Sequence, residues 1–268
     1  VNLTQRIIYI WRLIAKVFVY AIYGICSSLY MILFPVIFTL SGFSKKRFRN
    51  IARTINFYFF QFFVFLMKLL GILTVNIKNK NRLKEIHSCV VVANHPSFLD
   101  VLILFSLIPK ANCIVKGTLS KTPFVNAIVN LFFIPNTLPF ETQLQDAKIG
   151  MDAGETLIIF PEGTRTIPKE PLHFKKGAAR FALFADKNIQ PIYIGGNEKI
   201  GIRKHDKFFS FHPTSRYHYN LEILDPITLE KFKAHPEPSA ISLLTNEMQK
   251  ILEACRENDS ELKSDFSI

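Results

Sequence analysis

The stretch VVVANHPSFLD, residues 90–100, sets the architecture. Three consecutive valines favour a buried strand. Pro96 then turns the chain, because a residue that precedes proline, here His95, avoids the α region. Ser97 stands where it can cap a following helix, and LDVLILFSL, residues 99–107, reads as that helix. A buried strand therefore delivers His95 to its mouth, with Asp100 five positions further on. Residues five apart do not share a face of one regular helix. The bend at Pro96 removes that obstacle and lets the imidazole fold back toward the carboxylate. The carboxylate would fix the tautomer and stabilise the imidazolium, leaving the second ring nitrogen to take a proton from a hydroxyl.

An isolated HxxxxD is also the spacing of an ordinary polar turn, so the second constellation matters. TLIIF, residues 156–160, reads as another buried strand and runs straight into FPEGTR, residues 160–165. Gly163 permits a tight turn and close approach of a ligand to the backbone. Arg165 offers a planar fork of donors suited to phosphate oxygens, and Thr164 a hydroxyl. Glu162 cannot hold phosphate by its charge; it can accept substrate hydroxyls or orient Arg165. The GxSxG elbow of a serine hydrolase does not occur, which favours direct attack by an activated acceptor oxygen over an acyl-enzyme.

Outward from these blocks, strands alternate with helices. Residues 113–116 and 130–134 have strand character, residues 122–131 open a helix between them, and residues 174–185, FKKGAARFALFA, have helical periodicity with a basic side. Residues 189–194 form the next strand, where Pro191 favours an edge or the first positions. Residues 78–84 read as a polar link and residues 240–254 as a late amphipathic helix. The expected fold is α/β: a mixed or mostly parallel sheet covered by helices and preceded by N-terminal membrane-associated helices.

That last element comes from residues 17–40, which carry no charge and reach about 36 Å as a helix, enough for a hydrocarbon core of about 30 Å. Arg12 and Lys16 precede this run, Gly24 and Pro35 offer kinks, and no small-residue cleavage pattern ends it. A second apolar stretch, residues 54–73, is interrupted by Lys68 and suits an interfacial or re-entrant helix. The two would pair as a hairpin around a basic link, SKKRFRN, residues 44–50, set among anionic headgroups. Basic flanks on both sides leave the orientation open. The expected division is a membrane-associated region over residues 1–75, an α/β domain over residues 76–257 and a polar tail over residues 258–268.

A net charge of +12 suits nucleic acid, an anionic membrane surface or an acidic substrate alike. The long apolar runs, with no recognition motif for nucleic acid beside them, decide for the membrane. The four cysteines, Cys26, Cys89, Cys113 and Cys255, have no metal-like spacing and suggest a reducing compartment rather than a disulfide scaffold.

The two blocks together resemble the glycerolipid acyltransferase family that includes the 1-acylglycerol-3-phosphate acyltransferases. NHPSFLD is similar to its NHxxxxD block and FPEGTR to its phosphate block, in that order and roughly sixty residues apart. The likeness extends through VKGTLSKTPF, residues 115–124, and IQPIYI, residues 189–194. The resemblance implies that His95 is a general base with Asp100 as its partner. It implies that Glu162, Gly163, Thr164 and Arg165 hold the acceptor's glycerol phosphate, with Lys116 at a basic position and Pro191 shaping the site. It further implies acyl-CoA or acyl-carrier protein as donor substrate, a lysophospholipid acceptor among membrane lipids, no metal, no bound cofactor, and an active site at the cytoplasmic face of the membrane. The chain departs from the family at Asn126 and Asn136, where a glycine and an arginine are usual. Lys116, Lys121 or the pair Lys175 and Lys176 would have to replace the missing charge, or the acceptor is another lysolipid or a hydroxylated lipid. A non-catalytic membrane scaffold is disfavoured by retention of both His95 and Asp100.

Overall fold

The computed structural model describes residues 3–115, 133–167, 170–196, 199, 201–207 and 209–259. In chain order the helices and strands are α1 Leu3–Leu40, α2 Lys45–Leu69, β1 Leu73–Lys78, β2 Val90–Ala93, α3 Leu99–Leu107, β3 Ala111–Val115, β4 Phe133–Pro135, α4 Phe140–Asp152, β5 Thr156–Ile159, α5 Gly177–Ala185, β6 Ile189–Gly195, β7 Tyr217–Ile223, α6 Glu230–Lys233 and α7 Glu237–Glu257. The strands form one sheet in the order β1-β7-β6-β2-β5-β3-β4. Its pairings are parallel except β6 with β7.

Strand alternation divides the core into two layers. Val91 and Ala93 face α1, α2 and α3 with Ile158, Ile192 and Tyr219. Val90 and Val92 face α4, α5 and α7 with Leu157, Ile159 and Leu244. Both faces of β2 are therefore covered, which is why it reads as an unbroken apolar run. The α/β expectation, with its mostly parallel sheet, holds, and β2 and α3 begin and end where the sequence placed them.

Several boundaries differ. Pro191 is not on an edge: it is the third residue of β6, a strand flanked by β2 and β7. The β6–β7 ladder begins only at Ile192, and Pro191 contributes just its carbonyl, which accepts from Leu224 N at 3.1 Å. α5 starts at Gly177 rather than residue 174, because the N–H groups of Phe174 and Lys175 bond Gln249 Oε1 and Pro161 O instead of a preceding helical turn. The link over residues 78–84 holds the end of β1 and a 3₁₀ turn, Lys80–Glu85. The helix expected over residues 122–131 lies outside the described residues.

At the N-terminus, the apolar helix begins at Leu3 and runs unbroken through Gly24 and Pro35. SKKRFRN is not a link: Ser44 caps α2, accepting from Arg47 N, and the rest forms the helix's first turns. The hairpin itself forms. Tyr23 meets the rings of Phe59 and Phe63 at 5.6 and 5.1 Å, and Tyr30 Oη donates to Ala52 O at 2.9 Å. Among the described residues, one segment, Leu3–Tyr30, is long and apolar enough by length and composition to cross a membrane. Two of its cations are not outer flanks, however. Arg12 and Lys16 are buried against the α/β layer, where Lys16 Nζ donates to Gly201 O at 3.3 Å and Ser210 O at 2.8 Å. α2 lies on α3 through Phe60, Phe63 and Met67 and keeps Phe62, Phe65 and Leu69 outward. Arg53 anchors α2 further: it is 2% exposed, pairs with Glu155 at 2.8 Å, and donates to Lys110 O and Ala111 O, each at 3.3 Å.

Candidate active site

The site lies where β2 and β5 end side by side. In parallel sheets the crevice beyond the carboxyl ends of the strands is where ligands bind. Asn94, the first residue after β2, is 3% exposed and continues the ladder with its side chain. It donates to Ile194 O at 2.9 Å and accepts from Ile194 N at 2.7 Å, fixing the strand end against β6.

His95 follows and turns back onto Asp100, with Nδ1 and Oδ2 2.8 Å apart. Asp100 is fully buried, and every contact it makes is to a donor. Oδ2 also accepts from Ser97 N at 2.7 Å, and Oδ1 accepts from Ser97 Oγ at 2.7 Å. Ser97 thus does not cap α3 as expected; the acid in the first helical turn reaches back to Ser97 and closes the bend. A buried carboxylate holding three hydrogen bonds is a fixed acceptor. It leaves the proton on Nδ1 and the His95 Nε2 edge without a protein partner among the described residues. The imidazole stacks on Phe160, with centroids 4.1 Å apart and planes at 24°.

The FPEGTR turn packs directly against this pair. Thr166 N donates to His95 O at 2.7 Å. Glu162 Oε1 accepts from His95 N at 3.1 Å and from Thr166 Oγ1 at 2.6 Å, so the acid braces the histidine backbone instead of orienting Arg165. Burial pushes the Glu162 carboxyl upward, against those hydrogen bonds and the nearby imidazole, which pull it down. Gly163 has φ +68°, a conformation that favours glycine. A Cβ there would come within 2.9 Å of Lys175 Nζ, so this ammonium hangs over the turn. Thr164 is exposed beside it. Arg165 Nη1 donates to Ile202 O and Arg203 O, each at 3.0 Å, which ties the turn to the loop over residues 201–206. The remaining nitrogens of the guanidinium have no protein partner among the described residues. Ile202 O also accepts from Phe98 N at 3.1 Å.

The structure therefore gathers His95, Asp100, Glu162, Gly163 and Arg165 at one end of the sheet, with Thr164 at its rim. Lys116 and Asn126 lie outside the described residues. Asn136 is exposed after β4 and bonds Val115 O through its backbone N at 2.9 Å. Phe160, Thr166, Ser97 in its actual role, and Tyr219 were not singled out by the sequence. Phe160 and Thr166 border the FPEGTR block and were within reach of that reading; Tyr219 lies 122 positions from Ser97 and gave no local signal.

Residues 74–195 match the family model described as Acyltransferase. Over that stretch, a little under half of the chain, the sequence is similar to that family. It is 29% identical over 129 residues to human 1-acyl-sn-glycerol-3-phosphate acyltransferase beta, covering 45% of this chain and 46% of that protein. It is 28% identical over 180 residues to the 1-acyl-sn-glycerol-3-phosphate acyltransferase of Saccharomyces cerevisiae, covering 63% and 56%. The chain thus spans about half the length of the curated relatives it matches. The crystal structure of the 1-acyl-sn-glycerophosphate acyltransferase PlsC from Thermotoga maritima shares the fold, with a TM-score of 0.69 and 20% identity over 94% of this chain and 98% of that one. Both blocks read from the sequence fall inside the matched residues.

Proposed function

We propose that this chain transfers a fatty acyl group from a thioester, acyl-CoA or acyl-carrier protein, to the free hydroxyl of 1-acylglycerol-3-phosphate, forming phosphatidate. His95 Nε2 takes the hydroxyl proton as the oxygen attacks the thioester carbonyl. The C–S bond then breaks, and the thiolate leaves with the proton that the imidazolium returns. Asp100 keeps Nδ1–H aligned and stabilises the imidazolium without taking the proton itself. The observation that carries this reading is the 2.8 Å contact between His95 and a fully buried Asp100 at the mouth of β2, braced by Glu162. The names of the relatives support the acceptor. The partly committed fork of Arg165 and the ammonium of Lys175 form the cationic side on which a phosphate would rest.

The second reading is an acceptor without a phosphomonoester. It is favoured by Asn136 in place of the family's arginine and by the two carbonyls that already occupy Arg165 Nη1. In either case the reaction takes place at a membrane surface. The outward apolar side chains of α1 and α2, among them Ile7, Ile14, Phe18, Phe62 and Phe65, would lie against lipid at the cytoplasmic face, where both thioester donors occur.

Acyl transfer to a panel of lysolipids, with each donor, tests the proposal. Lysophosphatidate with either thioester is expected to give the highest kcat/KM. His95→Ala is expected to reduce turnover about 10²–10⁴-fold while the chain stays folded and membrane-bound. A folded His95→Ala protein with near-parent turnover on its best acceptor refutes the general-base role.

A further inference from the structure

Behind Asp100 lies a second line of hydrogen bonds that leads away from the substrate. Tyr219 is the third residue of β7, two strands from β2 in the sheet order, and has no solvent exposure. Its hydroxyl bonds Ser97 Oγ. Ser97 Oγ has one hydrogen, and that hydrogen goes to Asp100 Oδ1, a carboxylate oxygen that can only accept. Ser97 must therefore accept from Tyr219. The chain runs Tyr219 O–H to Ser97 Oγ–H to Asp100 Oδ1, and Asp100 Oδ2 then receives the Nδ1–H of His95.

We infer that Tyr219 is a positioning residue for the His95–Asp100 pair, acting through Ser97 in the acyl transfer proposed above. The phenol determines which way the Ser97 hydroxyl points. It also makes that hydroxyl a stronger donor, because donors in series polarise one another. The hydroxyl in turn fixes the plane of the carboxylate. Once that plane is fixed, the Nδ1–H direction and the place of Nε2 follow.

The Lys199 ammonium packs on the ring, 4.8 Å from the Tyr219 centroid, held by Gly195 O at 3.0 Å and Gly196 O at 2.9 Å; it is burial, not this cation, that keeps the phenol in its donor state. Burial, reinforced by Asp100 and by the phenols of Tyr217 and Tyr20, holds the Tyr219 hydroxyl well above the usual range.

Tyr219→Phe retains the ring and removes only the donor. Turnover is measured per folded molecule, with unfolding followed by circular dichroism, in Tyr219→Phe, Ser97→Ala and the double variant. Tyr219→Phe is expected to lower kcat about 3- to 10-fold with KM for donor and acceptor unchanged, on the scale of one neutral hydrogen bond. Ser97→Ala is expected to lower kcat further, and Tyr219→Phe to add nothing in that background, because its only route to Asp100 is gone. Parent kcat in folded Tyr219→Phe, or losses that multiply in the double variant, overturn the inference. If His95→Ala is dead while Tyr219→Phe is fully active, the positioning role alone fails. If His95→Ala stays active, the proposed reaction mechanism fails and the inference with it.

Discussion

Replacing Asp100 by asparagine removes one charge and leaves the shape almost untouched. The three donors around the carboxylate dictate how the amide must sit. Its oxygen has to take the Oδ2 position, because two donors converge there, His95 Nδ1 at 2.8 Å and Ser97 N at 2.7 Å. Its nitrogen then faces Ser97 Oγ and donates to it. Ser97 must turn its hydrogen toward Tyr219, whose own hydrogen loses its acceptor. Two retained bonds drop from charge-assisted to neutral, about 1 kcal/mol each, and one buried hydroxyl is orphaned, about 1–3 kcal/mol. Against this, a fully buried charge no longer has to be desolvated, which offsets several kcal/mol. The protein should fold, with a net loss of about 0–3 kcal/mol.

In the acyl transfer proposed above, the change should register as lost turnover. The histidine tautomer survives, because Nδ1–H still meets an oxygen, so the loss is the attraction between carboxylate and imidazolium. Unit charges about 4 Å apart at an effective dielectric of about 20 attract by about 4 kcal/mol, or about 10³ in rate. The assay is steady-state acyl transfer on the best acceptor, alongside thermal unfolding. A folded Asp100→Asn protein that keeps more than about a tenth of parental turnover refutes this account of the pair.

Three further outcomes follow from the site. Burial raises the folded Glu162 carboxyl above its unfolded value, so its contribution to stability is greatest below the unfolded value and is lost as pH rises through the folded one. Glu162→Gln, which keeps an acceptor for His95 N and Thr166, should therefore stabilise the fold at neutral pH, with the advantage shrinking as pH falls through the ordinary carboxylate range; thermal unfolding across pH measures it, and a constant difference contradicts it. Arg165→Lys should loosen the loop over residues 201–206 and lower turnover on all acceptors, with an added loss of about 10-fold or more for lysophosphatidate relative to a lysolipid lacking a phosphomonoester; an unchanged ratio assigns the arginine to the loop alone. Lys16→Met should destabilise the protein by about 1–3 kcal/mol through the vacated carbonyls of Gly201 and Ser210, measured by chemical unfolding in detergent, and an unchanged midpoint excludes the clamp.

The legible parts of this structure were the ones whose causes are local. VVVA had to be buried on both faces, Pro96 had to turn the chain, and together they brought His95 within reach of Asp100. The reading failed where partners come from afar. YHYNLEI alternates buried and half-buried residues along β7, a period-2 pattern weaker than the unbroken apolar runs of β2 and β5. Without β7 there is no Tyr219, and without Tyr219 the role of Ser97 reads as a helix cap. Arg12 and Lys16 looked like the cationic flank of a membrane segment because sequence gives position along a helix but not which neighbour covers it. The carbonyls that receive Lys16 lie 185 and 194 residues away.

The ion pair between Arg53 and Glu155 sets a boundary of a different kind. A fragment cut at the start of the matched residues, near position 74, would keep both sequence blocks and lose α1 and α2. Glu155 would then lose the buried guanidinium that pairs with it. The face of α3 that packs on Phe60 and Phe63 would be bare to water. The stretch that kinship recognises is therefore shorter than the stretch that can stand alone. A piece excised there should precipitate rather than dissolve, even though both sequence blocks are present in it.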